Sequence, residues 1–352
     1  MLSLVISLVI FMNPATMTIP KPITSETKLV EVIATNLDNH RSIALVDDKI
    51  YIAEKNGKIK IVYIENLVEK TSDDIDVYDE LNKSGLLGFV IHPNFINNHY
   101  IYAYYTYDHT DGTLWNKIIR LTEHNDTTID EMIILDRIPG SKLNNDGTMK
   151  LGPDGKLYVA TGVHNGYSQS SQNLNSLEGK ILRINNDGTI PIDNPLGNLI
   201  FSYGHGIIQV MAWDSQGNFF VSELGDIQND EINLVLPGKN YGWPTQECFV
   251  DNNEFINPLI CYDPVIELGG MDIHENDAGV LHLLVFSLRT GSIYSLKIDM
   301  HKLHSQQIML SGVGRIRDIE IGSNNYIYVL TSNTDVQGFP SSEDDKLLRL
   351  TK

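Results

Sequence analysis

The sequence predicts an all-β chain, a six-bladed β-propeller with four-stranded antiparallel blades. One observation is a recurrence. IYIAE, IYAYY, LYVAT, FFVSE, LLVFS and IYVLT begin at residues 50, 101, 157, 219, 283 and 327, so their starts lie 44 to 64 residues apart. Another is that each run follows a turn rich in Asp, Asn, Gly or Pro, whose short polar side chains and glycines suit tight backbone turns. The last is the near absence of helical periodicity, which leaves strands as the only repeated element.

In chain order the units read SIALV–VDDK–IYIAE–KIKIVYI, then GLLGFVI–HPNFINNH–IYAYY–KIIRLTE, then TMKL–GPDGK–LYVAT–KILRIN. They continue as QVMAW–DSQGN–FFVSE–EINLVL, GGMDI–ENDAG–LLVFS–SIYSLKI and RIRDIEI–GSNN–IYVLT–KLLRLTK. Each is strand, turn, strand, loop, strand. A pair of β-sandwiches is the competing arrangement, and the even spread of units without a linker argues against it. The propeller domain is placed at residues 28–352 and the segment before it, 1–17, at the N-terminus. There LSLVISLVIFM at 2–12 has the length and apolarity of a signal peptide or N-terminal anchor, although no Lys or Arg precedes it.

The chain has 352 residues and a formal net charge of −19. Such a balance repels phosphate backbones and excludes general nucleic-acid binding without a local basic patch. Two cysteines cannot form a disulfide framework and lack zinc-site spacing. Cys248 and Cys261 share one loop-like segment, and in an exported protein they would close a short disulfide loop. The expected location is secreted, periplasmic or at the cell surface.

In a propeller the first strand of every blade lines the central channel, so the residues just ahead of those strands converge at one mouth. They are His40 and Arg41, Lys83 and Ser84, Asn144 to Asp146, His205 to Ile207, Gly269 and Gly270, and Arg315 with Arg317. Arg289 ends a middle strand and could lean toward the same rim. An acidic protein that gathers cations at one concave place suits an anionic or polyhydroxylated ligand. The oxygen-rich stretch holding Glu223, Gly225, Asp226, Asp230 and Glu231 suits a hard cation such as calcium, without EF-hand spacing. His92, in a turn, reads as structural. His164 follows a middle strand, where a solvated loop histidine is the plain alternative to a site residue.

At these residues the chain resembles the glucose/sorbosone dehydrogenase family, the soluble aldose sugar dehydrogenases that use pyrroloquinoline quinone (PQQ). The matching segments are GLLGFVIHPNFINNHYIYAYYT, LGPDGKLYVATG, QNLNSLEGKILRINNDGTIPIDNP, YGH, DEINLVLPGKNYGWP and GRIRDIEIG, in family order over about residues 28–350. The resemblance implies oxidation of an aldose at C1 to a lactone. It also implies a histidine that removes the hydroxyl proton, a quinone that takes the hydride and a calcium ion that polarises the quinone.

Carried over position by position, the resemblance keeps His205, Gln209, Gly225, a cation at Arg289, and both Arg315 and Arg317. It departs elsewhere. Asn144 stands where the family has its base, and an amide has no proton-accepting pKa near neutrality. Gly206 and Ile207 replace an Arg-Asn pair, Lys83 replaces a Gln or Glu, and Gly225-Asp226 stands for the Gly-Pro pair whose carbonyls meet calcium. One reading is therefore a quinoprotein sugar dehydrogenase with a rebuilt site. In it Asp146 or His164 supplies the base, and Lys83, His205, Gln209, Arg289, Arg315 and Arg317 hold the cofactor. A second is a non-catalytic propeller that binds a sugar, glycan or protein. A third is a calcium-dependent, lactonase-like hydrolase, for which only Asn144, Asn145 and Asp146 offer ligands.

Overall fold

A computed structural model describes residues 30–350 except 72–73, 80–83, 142–144, 146, 164–168, 226–228, 250–253, 276–279, 300, 323–325 and 335–337. Strand β1 (Val30–Ala34) comes first among the described residues, and blade 1 follows as β2 (His40–Val46), β3 (Lys49–Glu54), β4 (Ile59–Tyr63) and β5 (Glu69–Thr71). Blade 2 is β6 (Leu86–Ile91), β7 (Tyr100–Asp108), β8 (Leu114–His124) and β9 (Thr127–Pro139), with a one-turn helix α1 (Phe95–Asn98) in its first turn. Blade 3 is β10 (Gly147–Leu151), β11 (Leu157–Thr161), β12 (Lys180–Ile184) and β13 (Ile200–Tyr203). Blade 4 is β14 (Ile207–Trp213), β15 (Phe219–Leu224), β16 (Asp230–Val235) and β17 (Ile260–Tyr262). Blade 5 is β18 (Leu268–Glu275), β19 (Leu281–Ser287), β20 (Ser292–Asp299) and β21 (Lys302–Ser311). Blade 6 is β22 (Ile316–Ile321), β23 (Ile327–Thr331) and β24 (Leu347–Leu350), completed by β1, which pairs antiparallel with β24 from Val30↔Leu350 to Ala34↔Leu347. The predicted six-bladed propeller is thus formed, and its ring is closed by hydrogen bonds between the two ends of the propeller.

The six recurring runs are the second strands β3, β7, β11, β15, β19 and β23. Their physical role explains why they read as continuous apolar segments rather than alternating ones. A blade's middle strands are covered on both faces by neighbouring blades, so every residue of β11 and of β23 is buried. Six apolar clusters fill the six blade interfaces. Tyr51, Ile61, Phe89 and Tyr105 pack between blades 1 and 2, and Ile43, Val62, Tyr328 and Leu330 pack across the closure between blades 1 and 6. Burying each such side chain stabilises the fold by about 1.5–3 kcal/mol, so the interfaces hold the ring together without a central core.

Cys248 and Cys261, which are 13 positions apart in sequence, form a disulfide with Cα atoms 5.7 Å apart. It ties the loop after β16 to β17. Among the described residues no helix is long and apolar enough to cross a membrane. The segment 1–17 lies outside the described residues.

Candidate active site at the channel mouth

The inner strands β2, β6, β10, β14, β18 and β22 surround a channel of about 540 Å³. Near their starts, β2, β6, β14, β18 and β22 each break register with the neighbouring strand. The skipped positions are Arg41, Leu87, Gln209, Gly269 with Gly270, and Arg317. A bulge inserts an unpaired residue and re-aims its side chain. Here it happens at the same end of five blades, and Arg41, Gln209 and Arg317 all line the channel. Of the residues expected at the mouth, Arg41, Gly269 and Arg317 line this channel, and all three stand at these register breaks.

The other cations of the mouth are held differently. Arg315 donates from Nη1 to Glu267 Oε2 at 3.2 Å and to the Leu288 carbonyl at 3.4 Å, and its backbone N–H meets Asn333 Oδ1 at 2.8 Å. Arg289 donates to the other oxygen of Glu267 at 2.9 Å and to the Val265 carbonyl at 3.1 Å, with half of its side chain exposed. One carboxylate, Glu267, thus anchors two arginines at the rim between blades 5 and 6. Sequence reasoning missed Glu267, because nothing in VIELGG marks it. Next to the arginines, Asp318 accepts the Ile43 backbone N–H at 2.9 Å and its neighbour Ile319's at 2.8 Å, stitching blade 6 to blade 1.

His205 is fully buried. Its Nδ1 lies 2.9 Å from Glu223 Oε1, its Nε2 lies 2.8 Å from Ser202 Oγ, and its ring stacks on Tyr241 at 4.6 Å. Glu223 also accepts the Gly206 N–H at 3.2 Å and the Asn233 amide at 2.9 Å. The histidine therefore sits behind the mouth, where it holds the turn that enters β14. Gly206 faces the Trp243 ring, and a Cβ there would lie 3.3 Å from it. Blade 4 consequently offers the channel Gln209 as its polar group near the mouth.

Asn145 is buried and anchors the segment before β10. Its Oδ1 accepts the Asn116 amide at 2.7 Å and the Ser141 N–H at 3.3 Å, and its own amide donates to Asn116 Oδ1 at 3.1 Å and to Thr106 Oγ1. Its neighbours Asn144 and Asp146, together with Lys83, His164 and Asp226, lie outside the described residues.

The oxygen-rich loop of blade 4 is largely committed to the fold. Asp230 accepts the N–H groups of Gly225, Ile266 and Leu268 at 3.3, 2.9 and 3.3 Å, which docks blade 5 onto blade 4. Glu231 accepts the Cys248 N–H at 2.5 Å, and burial together with the Glu223 charge pushes its pKa up to about 7. A cavity of about 20 Å³, room for one small ion or water, is bordered by Gly225, Asn229, Glu231 and Glu247. Among the described residues no three His, Cys, Asp or Glu side chains are grouped closely enough to hold a metal ion.

Below the arginines the channel carries Lys150, Asp318 and Glu320. Burial lifts Glu320 to about 8 and Asp318 to about 6, against the opposing pull of Lys150 on both. Burial also disfavours the Lys150 ammonium, yet the fields of Asp272, Glu320 and Asp318 outweigh it and hold that pKa above the usual lysine value. A carboxyl whose folded pKa exceeds its unfolded one gives the folded state the extra proton, so stability falls as pH rises from about 4.5 through the folded value of about 8. The melting temperature should accordingly be lower at pH 8.5 than at pH 5.5. Glu320→Gln should raise it at pH 8.5 and leave it nearly unchanged at pH 5.5, and an equal effect at both would contradict this assignment.

Comparison with known proteins fits the geometry. The family model for glucose/sorbosone dehydrogenase matches residues 37–339, which takes in all six inner strands. The chain belongs to the glucose/sorbosone dehydrogenase family. Among its family relatives it is 34% identical to the quinoprotein glucose dehydrogenase B of Acinetobacter calcoaceticus over 64% of this chain and 54% of that protein. The chain thus aligns with about half the length of that relative. Identity to an aldose sugar dehydrogenase of Escherichia coli is 26%, over 87% of this chain and 90% of that one. In three dimensions the chain superposes on the PQQ-bound form of an aldose sugar dehydrogenase from Streptomyces coelicolor. That match has a TM-score of 0.81 and 27% identity, and it covers 92% of this chain and 98% of the other. PQQ is accordingly a cofactor known within the family.

Proposed function

We propose that this propeller binds PQQ at the channel mouth and oxidises an aldose at C1 to its lactone. The observation that carries the reading is the pair of bulges in β2 and β22, which aims Arg41 and Arg317 into one cavity. Bound there, the quinone supplies a two-electron acceptor. The residues present suit its carboxylates, because guanidinium groups pair with carboxylates in bidentate fashion. Arg317 and Gln209 reach the cavity directly. Arg315 and Arg289, braced by Glu267, add positive charge at the rim, and His205 positions the β14 turn from behind. The family resemblance supports Lys83 as a further member of the cradle and the Gly225-Asp226 carbonyls as the place for calcium.

The oxidation removes the C1 hydroxyl proton and the C1 hydride, leaving the lactone carbonyl. Asn144 cannot take the proton, so the role of general base falls to Asp146 or His164. A base displaced from the position used elsewhere in the family is expected to slow proton abstraction by about 10²–10⁴-fold. Export of the chain is supported by the Cys248–Cys261 disulfide, since such bonds persist in oxidising compartments.

The test is reconstitution with PQQ and calcium, followed by dye reduction with a panel of aldoses. Slow, PQQ-dependent turnover with at least one aldose is expected. No turnover at high enzyme concentration would leave a propeller that binds its ligand without oxidising it.

A further inference from the structure

Between blades 1 and 2, and sharing no lining residue with the channel, lies a groove of about 700 Å³. One wall is the segment 74–78 that joins β5 to β6. It is pinned where the Ile75 N–H meets the Gly57 carbonyl at 3.0 Å and the Tyr78 N–H meets the Thr106 carbonyl at 2.9 Å. The other wall is blade 2, with Tyr105 and Tyr107 on β7 and Lys117 on β8. The aldose reading gives these groups no role.

Five carboxylates, those of Asp74, Asp76, Asp108, Asp130 and Glu131, line the groove beside one cation, Lys117. The four aspartates are exposed, and among the described residues their side chains make no hydrogen bond or ion pair. Glu131 reaches Lys117 only at 3.9 Å. Like charges gathered in one concave place repel one another and attract a cation. Lys117 shows how the walls receive an ammonium group. It stands at a register break between β8 and β9, and its Nζ lies 5.0 Å from the centre of the Tyr105 ring and 4.9 Å from that of Tyr107, where the negative faces of the rings hold it.

A further feature is independent of the acidic side chains. Tyr105 is only 2% exposed, yet its hydroxyl makes no hydrogen bond to any described residue. Burial, and then the Glu131 and Asp76 charges, raise its pKa, so it stays a neutral hydroxyl whose oxygen can accept a ligand N–H. A polar group buried without a partner carries a desolvation cost that such a ligand removes. Ile119 and Leu121, both buried, line the same groove and suit methylene links, which a hydrated metal ion lacks.

We infer that this groove is a binding site for a linear oligoamine, a chain whose ammonium groups pair with the groove carboxylates and donate to the Tyr105 hydroxyl. Binding there is independent of PQQ, because the groove and the channel are separate.

Calorimetric titration of the full chain at about 0.15 M salt with spermidine, putrescine, butylamine, calcium and glucose tests this. One spermidine per chain should bind at least about tenfold more tightly than butylamine, with putrescine between them, and PQQ should not alter it. Asp76→Asn combined with Asp130→Asn should weaken spermidine at least about tenfold. The equally neutralising pair Asp299→Asn and Glu343→Gln, at exposed positions on the blade 5 and 6 side, should change it less than about twofold. Tyr105→Phe, which removes only the hydroxyl, should cost about three- to tenfold. Lys117→Met, which frees the place between the two rings, should tighten both spermidine and butylamine. Equal weakening by the two charge-neutralising pairs, or an affinity indifferent to every groove variant, would reveal diffuse attraction to an acidic surface and overturn the site. Calcium bound more tightly than spermidine and lost in the Asp76→Asn, Asp130→Asn variant would make the groove a metal site. Glucose binding lost in Tyr105→Phe would make it a saccharide site, and either result overturns the oligoamine assignment.

Discussion

Glu223→Ala is expected to destabilise the chain by about 3–5 kcal/mol, more than any single change at the mouth itself. Glu223 is buried and accepts from His205 Nδ1, the Gly206 N–H and the Asn233 amide. Alanine leaves three buried donors without an acceptor, each carrying a desolvation cost of about 1–3 kcal/mol, and water entering the cavity recovers part of it. At this chain length the loss corresponds to roughly 4–7 °C in melting temperature. Glu223→Gln keeps one oxygen as acceptor but turns an amide toward the same donors, and should fall between. The turn at His205 and Gly206 opens β14, so ligand affinity at the mouth should drop along with stability. A loss below 1 kcal/mol for Glu223→Ala would show that the network is not what holds this turn.

The second large effect separates two arginines that stand two residues apart. Arg317→Ala should weaken PQQ binding by about 10–100-fold, the loss expected for a charge-assisted, bidentate contact, while shifting the melting temperature by less than 2 °C. Arg315→Ala should do the reverse in proportion. Its guanidinium is tied to Glu267 and the Leu288 carbonyl and is mostly shielded, so its removal costs stability, and PQQ affinity falls less than in Arg317→Ala. Spectrophotometric titration of PQQ and thermal denaturation of both variants check the pair. Equal effects of the two substitutions on both measurements would contradict the division between a channel-facing arginine and a bracing one.

Much of this architecture is legible in the sequence. The six apolar runs announce the second strands because burial between blades removes the polar alternation that exposed strands show, and the polar turns ahead of them mark where each first strand ends. The outer strands escape notice for the opposite reason. Glu69–Thr71 is entirely exposed and Ile260–Tyr262 is three residues long, so neither carries a pattern, and Val30–Ala34 is recognisable only through its partner in β24, more than 300 residues away. At the site, position relative to the inner strands was enough to pick out Arg41 and Arg317. It could not distinguish them from Arg315, because that distinction depends on a register break at Ile316/Asp318 and on Glu267 from another blade. His205 is marked by its motif, yet its place behind the mouth depends on the side-chain contact from the turn before β14 to Glu223 on β15, which motif reading does not supply.

The most direct measurement of the central claim is a single-turnover experiment. The chain is mixed with one equivalent of PQQ and excess calcium, an aldose is added without dye, and both the quinone absorbance and the lactone are followed. The account predicts bleaching of the oxidised cofactor and about one lactone formed per chain, over seconds to minutes rather than milliseconds, because Asn144 leaves the proton to a substitute base. Stoichiometric PQQ binding with a cofactor that stays oxidised beside every aldose, neutral or anionic, would contradict it.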